Sequence, residues 1–381
     1  MTTHLANGPT PAAILPSVDA ALDSGATLAL AFCSPAHDLD ALRQSLAERG
    51  LDVVGVTTAG EIAGPEIVEG GVSVQLWNAA PGTFAVWSGT RADGETAEDV
   101  AARLGRAAVE RFADPVVVAF ASGVTTDGEA VVRGVRAGAG REVPLFGGLA
   151  GDDLRMIETR VASSHETSSD GVVGLILDGA RYDVAGLATS GWQAVGIEKT
   201  VTRSAGNVVF ELDGESVLDV YRDYFDLDDL GTNGSGVVTG LGVQFPLSVR
   251  REDGTSVIRA PLVSDPETEG LVFAGAVPEG GRVRFCVPPS LDAVERVLDE
   301  AAAFRDRSPV PDAVLLVSCK ARHTAFGPIA EDEVAGLAAV WDAPLAGYFS
   351  YGEIGSQAGG VADFHNETCS LVTVRERAEA R

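Results

Sequence analysis

The sequence predicts an α/β fold of two lobes, built around a repeated strand-helix-strand-strand unit whose mixed sheets are covered by helices. Three observations point there. An apolar run recurs at Leu28 to Cys33 (LALAFC), Val116 to Ala121 (VVVAFA) and Val314 to Cys319 (VLLVSC). Each run is followed by apolar residues three and four apart: Leu39, Leu42 and Leu46; Val131, Val132 and Val135; Val334, Leu337 and Val340. The chain then returns through a short apolar stretch ending in glycine, VVG at 53–55, PLFG at 144–147 and PLAG at 344–347. Six residues beyond each glycine stands a carboxylate, Glu61, Asp153 and Glu353.

A continuous apolar run bounded by small residues reads as a strand buried on both faces. The three-and-four spacing lays one apolar stripe along a helix. Asp38, Asp127 and the pair Glu331 and Asp332 stand near the helix starts, where the helix dipole favours negative charge. Two strands joined through a helix need a crossover, so their pairing is expected to be parallel. One more strand closes each unit: GVSVQLW (71–77), GVVGLIL (171–177) and TCSLVTV (368–374).

Residues 182–290 follow a different pattern. Tyr182 to Ala188, Lys199 to Ser204 and Val208 to Leu212 read as short strands, and Asp213-Gly214 turns the chain into a helix from Glu215 to about Tyr224. Five glycines between Gly231 and Gly242 read as a linker, with the domain boundary near it. Phe245 to Arg251 and Thr255 to Ala260 flank Asp253-Gly254, a dipeptide suited to a tight hairpin. A second hairpin is expected from Leu271 to Val277 and Arg282 to Val287, then a helix from Leu291 to Phe304. The ends, 1–20 and 376–381, are expected to be loose.

The 381 residues carry a formal net charge of −27, which repels phosphate backbones and anionic headgroups, so neither nucleic acid nor membrane is an expected partner. Lys199 and Lys320 are the only lysines, and an acidic, lysine-poor surface fits a salty cytosol. No apolar run approaches the roughly 18–20 residues that span a bilayer, and Met1 to Gly25 lacks a basic segment followed by an apolar one. Cys33, Cys286, Cys319 and Cys369 lie far apart without a CxxC pair, which points to reduced thiols in a cytoplasmic protein. No His or Cys spacing fits a metal site, and neither GxGxxG nor GxxxxGK[ST] occurs, so no metal and no cofactor is expected.

Ligands of open α/β sheets bind where loops leave the carboxyl ends of the strands. Those loops begin here at Cys33-Ser34, Ser122-Gly123 and Cys319-Lys320-Ala321-Arg322, and their amides are suited either to an anionic group or to ordinary turns. Glu61, Asp153 and Glu353 are candidates to receive a ligand ammonium, Glu353 first among them, or to cap local backbone amides. Thr58 shares the first-copy loop with Glu61, and Tyr351 neighbours Glu353. Arg259 ends a hairpin strand where a guanidinium would clamp a carboxylate, or simply face water. Trp192 offers a flat wall for a ligand or a piece of core. The enzymatic alternative, a cysteine-dependent hydrolase or transferase acting on a small amide or thioester, pairs Cys319 with His323 or with His365, which adjoins Asn366; Arg322 and Lys320 would favour the thiolate.

With these stretches laid out, the chain resembles the FIST family of paired N- and C-terminal domains. The resemblance is carried by VVGVTTAGEI (53–62), FGGLAGDD (146–153), SGWQAVG (190–196), VVFELDGESVLDVY (208–221), VSCKAR (317–322), GYFSYGEIG (347–355) and FHNET (364–368). It divides the chain into 24–220 and 221–375. It implies a sensory input protein that binds a small molecule, an amino acid or related metabolite, and it implies no catalysis. Relatives often carry an output module for which this length has no room, so a separate signalling partner protein is expected. The ligand-binding residues expected together are Thr58, Glu61, Arg259, Cys319, Arg322, Tyr351, Glu353 and Asn366.

Overall fold

Each apolar run forms a strand buried along its whole length: Leu28–Cys33, Pro115–Ala121 and Ala313–Cys319. The computed structural model of the chain describes residues 1–225, 244–251, 253–265, 268–287, 292–356 and 361–378; the stretch 231–242 expected as a linker lies outside them. Helices Leu39–Ala47, Gly128–Ala139 and Ile329–Val340 follow the three strands. Asp38 caps the first through the amides of Asp40 and Ala41, and Asp127 caps the second through that of Glu129. The third copy inserts a short helix, Lys320–Phe326, before its long one.

The return strands Asp52–Thr57, Leu145–Leu149 and Leu345–Ser350 pair in parallel with the central ones. The closing strands Val72–Asn78, Gly171–Asp178 and Cys369–Glu376 pair antiparallel on the other side. The registers coincide, with Gly55 opposite Ala31, Gly147 opposite Ala119 and Gly347 opposite Leu316. Ser34, Ser122 and Cys319 are therefore equivalent positions, as are Thr58, Ala150 and Ser350.

Between its return and closing strands each copy sends out a small hairpin that joins another copy's sheet. Glu61–Ala63 with Glu66–Val68 extends the third sheet, Val161–Ser163 with Thr167–Ser168 the first, and Glu353–Gly355 with Asp363–His365 the second. A further antiparallel strand lies beside each closing strand: Thr2–Gly8, Phe84–Thr90 and Tyr182–Thr189. Three six-stranded sheets thus share one strand order and exchange hairpins in a ring. Their inner faces meet in a common core, where Phe32, Phe120 and Tyr348, one from each copy, form a triangle with ring centroids 5.3 to 6.3 Å apart.

A separate β unit stands between the second and third copies. Its long strand Gln193–Ala205 pairs with Arg282–Val287 near one end and Val208–Leu212 near the other. Its core gathers around the buried Tyr221, on helix Val217–Phe225, edge-on to Phe285 at 5.1 Å. The hairpin about Gly254 forms, with Leu247–Arg250 against Ser256–Arg259. The second expected hairpin does not. Gly270–Phe273 pairs with Pro261–Asp265 and Val208–Leu212, whereas Arg282–Val287 pairs with Gln193–Ala205 and Leu247–Arg250. The turn between them is held by the long strand instead, the Val277 and Gly280 amides bonding to the carbonyls of Gly206 and Val201.

The amino-terminal segment is also ordered, contrary to expectation. Thr10 caps a helix Pro11–Asp23 that buries Ile14, Val18 and Ala21, and the strand before it completes the first sheet. The closing strand of the third copy likewise runs on to Glu376. Among the described residues no helix is long and apolar enough to cross a membrane.

Candidate functional site

The loops at the carboxyl ends of the central strands are tied down by backbone. The amides of Ser34, Ser122 and Cys319 donate to the carbonyls of Gly71, Gly171 and Thr368 at 2.9 to 3.1 Å, one bond repeated in all three copies. They are not free to cradle an anion.

Glu61 and Glu353 are fully buried equivalents. The Thr58 hydroxyl donates to Glu61 and the Ser350 hydroxyl to Glu353. The other oxygen of Glu61 accepts from the Gly71 amide at 2.9 Å, and that of Glu353 from the Thr368 hydroxyl at 2.7 Å and amide at 3.3 Å. Each carboxylate so pins its turn to the residue before the closing strand. Burial outweighs these hydrogen bonds and pushes Glu61 up to about 7 and Glu353 up to about 8. Asp153, the third equivalent, is half-buried with φ of 55°. Its neighbour Asp152 collects the amides of Met156, Ile157 and Glu158 and the hydroxyl of Tyr351. Tyr351 is thereby fixed between the second and third copies, accepting from the Leu154 amide at 2.7 Å.

Arg259 and Arg322 are buried and fully engaged. Arg259 donates to the carbonyls of Ile258, Phe364 and Ala276 and pairs with Glu129. Arg322 makes a two-point contact with buried Glu333, donates to the Ser190 carbonyl, and lies between the rings of Trp192 and Phe326. The insert helix Lys320–Phe326 is what carries Arg322 inward.

Cys319 ends its strand buried, with the amides of Glu367 and Ala321 directed at its sulfur. Burial first, then the charges of Glu353 and Glu367, push its thiol well above the ordinary range, the reverse of an activated thiolate. No imidazole bonds to it among the described residues. His323 stacks on Phe349 with its Nδ1 2.8 Å from Lys320 Nζ, and His365 Nε2 lies 3.1 Å from the Gly355 carbonyl.

Beside Cys319 lies the feature that sequence reading missed. Glu367 is fully buried, holds a left-handed φ of 54°, and neither of its carboxylate oxygens has a hydrogen-bond partner. Asn366 Oδ1, His365 Nδ1 and Trp192 Nε1 are buried and unpartnered too. Glu353 and Arg322 are its charged neighbours, and its own charge is felt at Cys286 and Cys319. Through Arg322 and Cys286, Glu367 stands at the seam between the third copy and the β unit, where Trp192, Ile258 and Cys286 pack on Ala293, Val294, Phe326 and Ala330; Asn366 and His365 precede it in the chain. The only sign in the sequence was an acid inside FHNET (364–368).

Of the expected site residues, Cys319, Arg322, Glu353 and Asn366 gather at this seam. Thr58 and Glu61 stand beyond Lys320, whose charge reaches Glu61. Tyr351 and Arg259 flank it, Arg259 through its bond to the carbonyl beside His365. A cleft of about 400 Å³ opens at the opposite strand ends, lined in part by Asp114, Tyr182, Asp183 and Arg377, with Arg377 and Asp183 paired at 2.8 Å. It contains none of the unpartnered buried groups, so the seam is the better candidate.

Comparison with known proteins matches the FIST N domain to residues 27–215 and the FIST C domain to 218–356. The chain belongs to the FIST family. FIST domains are generally regarded as sensory, small-ligand-binding domains of signalling proteins. Uncharacterized proteins of Mycobacterium bovis and Mycobacterium tuberculosis are 29% identical over 233 residues, covering 60% of this chain and 59% of theirs. Another uncharacterized Mycobacterium tuberculosis protein is 29% identical over 234 residues, 60% of each chain. Both FIST regions contribute to the seam: Ser190 and Trp192 come from the N region, Cys286, Arg322 and Glu353 from the C region, and Asn366 and Glu367 follow the latter.

Proposed function

We propose that this FIST protein is a signal-input module that binds a small metabolite, an amino acid or a relative of one, in the seam between its third copy and its β unit. The observation that carries the reading is the fully buried, unpartnered carboxylate of Glu367 beside the unpartnered Asn366. A buried polar group without a partner costs about 1–3 kcal/mol, and more when charged. The unpartnered groups of Glu367 and Trp192, with those of the adjoining Asn366 and His365, are a cost that a bound ligand relieves.

The seam is closed, so a ligand enters by parting the β unit from the third copy. Occupancy then shifts the pose of the β unit, and a separate partner protein reads the change. A cytoplasmic setting is supported by the four cysteines, all of them unpaired thiols.

Thermal melts against amino acids, amines, organic acids and short peptides test the reading. A ligand at one hundred times its Kd is expected to raise the Tm of this 381-residue chain by about 3 °C. Unchanged melts across the whole panel, at saturating concentrations, would refute it.

A further inference from the structure

We infer that the seam selects a small primary amine bearing a neutral acceptor oxygen, an amino alcohol or an amino-acid amide, over the corresponding free amino acid. The inference rests on the ligand-binding reading of the same seam and adds the chemistry of its occupant.

Unpartnered acceptors and donors in the seam are unequal in kind. The acceptors are the two oxygens of Glu367, Oδ1 of Asn366 and, because His365 Nε2–H donates to the Gly355 carbonyl, Nδ1 of His365, on three consecutive residues. An ammonium group has three N–H donors and one positive charge, which suits unpartnered groups that are mainly acceptors and include a carboxyl. The unpartnered donor, Nε1 of Trp192, is neutral and suits a hydroxyl or carbonyl oxygen. Nothing comparable awaits a ligand carboxylate. Both buried guanidiniums are already used, Arg322 by Glu333 and the Ser190 carbonyl, and Arg259 by Glu129 and three carbonyls. Glu333 already neutralises Arg322, and burial disfavours ionisation of Glu353 and Glu367, so an anionic ligand group would be a buried charge with no free cation to meet it. No three His, Cys, Asp or Glu residues among those described are grouped to hold a metal ion, so the acceptors fit an organic ammonium better than a bare cation.

The matched pair alaninamide and alanine isolates the point, since they differ at the carboxylate alone; ethanolamine, glycinamide and propionate complete the set. Calorimetric titration of the full chain is expected to show the amides and ethanolamine binding at least about tenfold more tightly than alanine, with propionate weaker still. Alanine binding as tightly as alaninamide would overturn the inference and leave the sensory reading standing. No binding by any of these or by the wider panel would remove both.

Glu367→Gln is expected to lose at least about tenfold in alaninamide affinity. Its ligand-free Tm should stay level or rise, because a buried carboxyl that is costly to ionise is replaced by an amide that is neutral at every pH. Undiminished alaninamide binding by this variant would sink the role of Glu367. Should the variant fail to fold, proton exchange on the wild type decides. Burial and the neighbouring Glu353 push the Glu367 carboxyl up, with Arg322 opposing; an ammonium arriving beside it would favour the ionised form and is expected to release a proton. Titrations in two buffers of different ionisation heat read that release, and identical heats would count against the inference.

Discussion

At the scale of single residues, this protein places carboxylates where they are costly and supports them unequally. Glu353 has hydroxyl and amide donors, whereas Glu367 beside it has none. Burial holds Glu353 at about 8 against an ordinary 4.5, so the folded state binds the proton more tightly than the unfolded one. The resulting stabilisation is complete below pH 4.5 and is lost as pH rises toward 8. Glu353→Gln removes this dependence. Melts at pH 5, 6.5 and 8 are therefore expected to show the wild type losing ground to the variant as pH rises; a difference in Tm that stays constant would contradict it. Thr58 with Glu61 repeats the same device in the first copy, with a window ending near pH 7.

At the scale of elements, the three copies share a register but differ in how tightly they are packed. A methyl group at Gly347 would run into the Leu316 carbonyl, and one at Gly147, where φ is 128°, into the Ala119 carbonyl. At Gly55 the nearest atom would be Cδ1 at the end of the Leu39 side chain, at 3.2 Å. Gly147→Ala and Gly347→Ala are expected to cost about 3 kcal/mol or more, and Gly55→Ala about 1 kcal/mol or less. Urea midpoints rank the three. Equal costs would mean that the copies tolerate change alike. The sequence marks all three glycines in the same way, because a close carbonyl is a property of two strands and not of one. The missed second hairpin has the same origin. Arg282–Val287 follows Gly270–Phe273 closely in sequence, but its partners Gln193–Ala205 and Leu247–Arg250 arrive from elsewhere. The amino-terminal helix was overlooked because Pro16 and several alanines dilute its stripe of Ile14, Val18 and Ala21.

At the scale of the whole molecule, the ring of exchanged hairpins joins sheets that are far apart in the chain. Glu61–Ala63 and Glu66–Val68 complete the third sheet and Glu353–Gly355 and Asp363–His365 the second, so neither half holds all the strands of its own sheets. Over this frame lies a net charge of −27. Self-repulsion weakens as the screening length falls from about 10 Å at 0.1 M salt to about 3 Å at 1 M. Exposed ion pairs such as Arg133 with Glu98 contribute little to offset it. The Tm is expected to rise by several degrees between 0.1 and 1 M sodium chloride, and a fall would show that surface pairs outweigh the repulsion.

The sequence by itself determined the three central strands, the helices after them, the glycine in each return strand and the acid beyond it, although each return strand runs on two or three residues past the glycine expected to end it. These follow from local spacing and burial, which short-range physics writes into each segment. Only the tertiary structure decided that the hairpins are exchanged between copies, that Arg259 and Arg322 are committed to Glu129 and Glu333, and that Glu367 is buried without a partner. Whether a polar atom is satisfied depends on which distant groups reach it, and no local pattern records that.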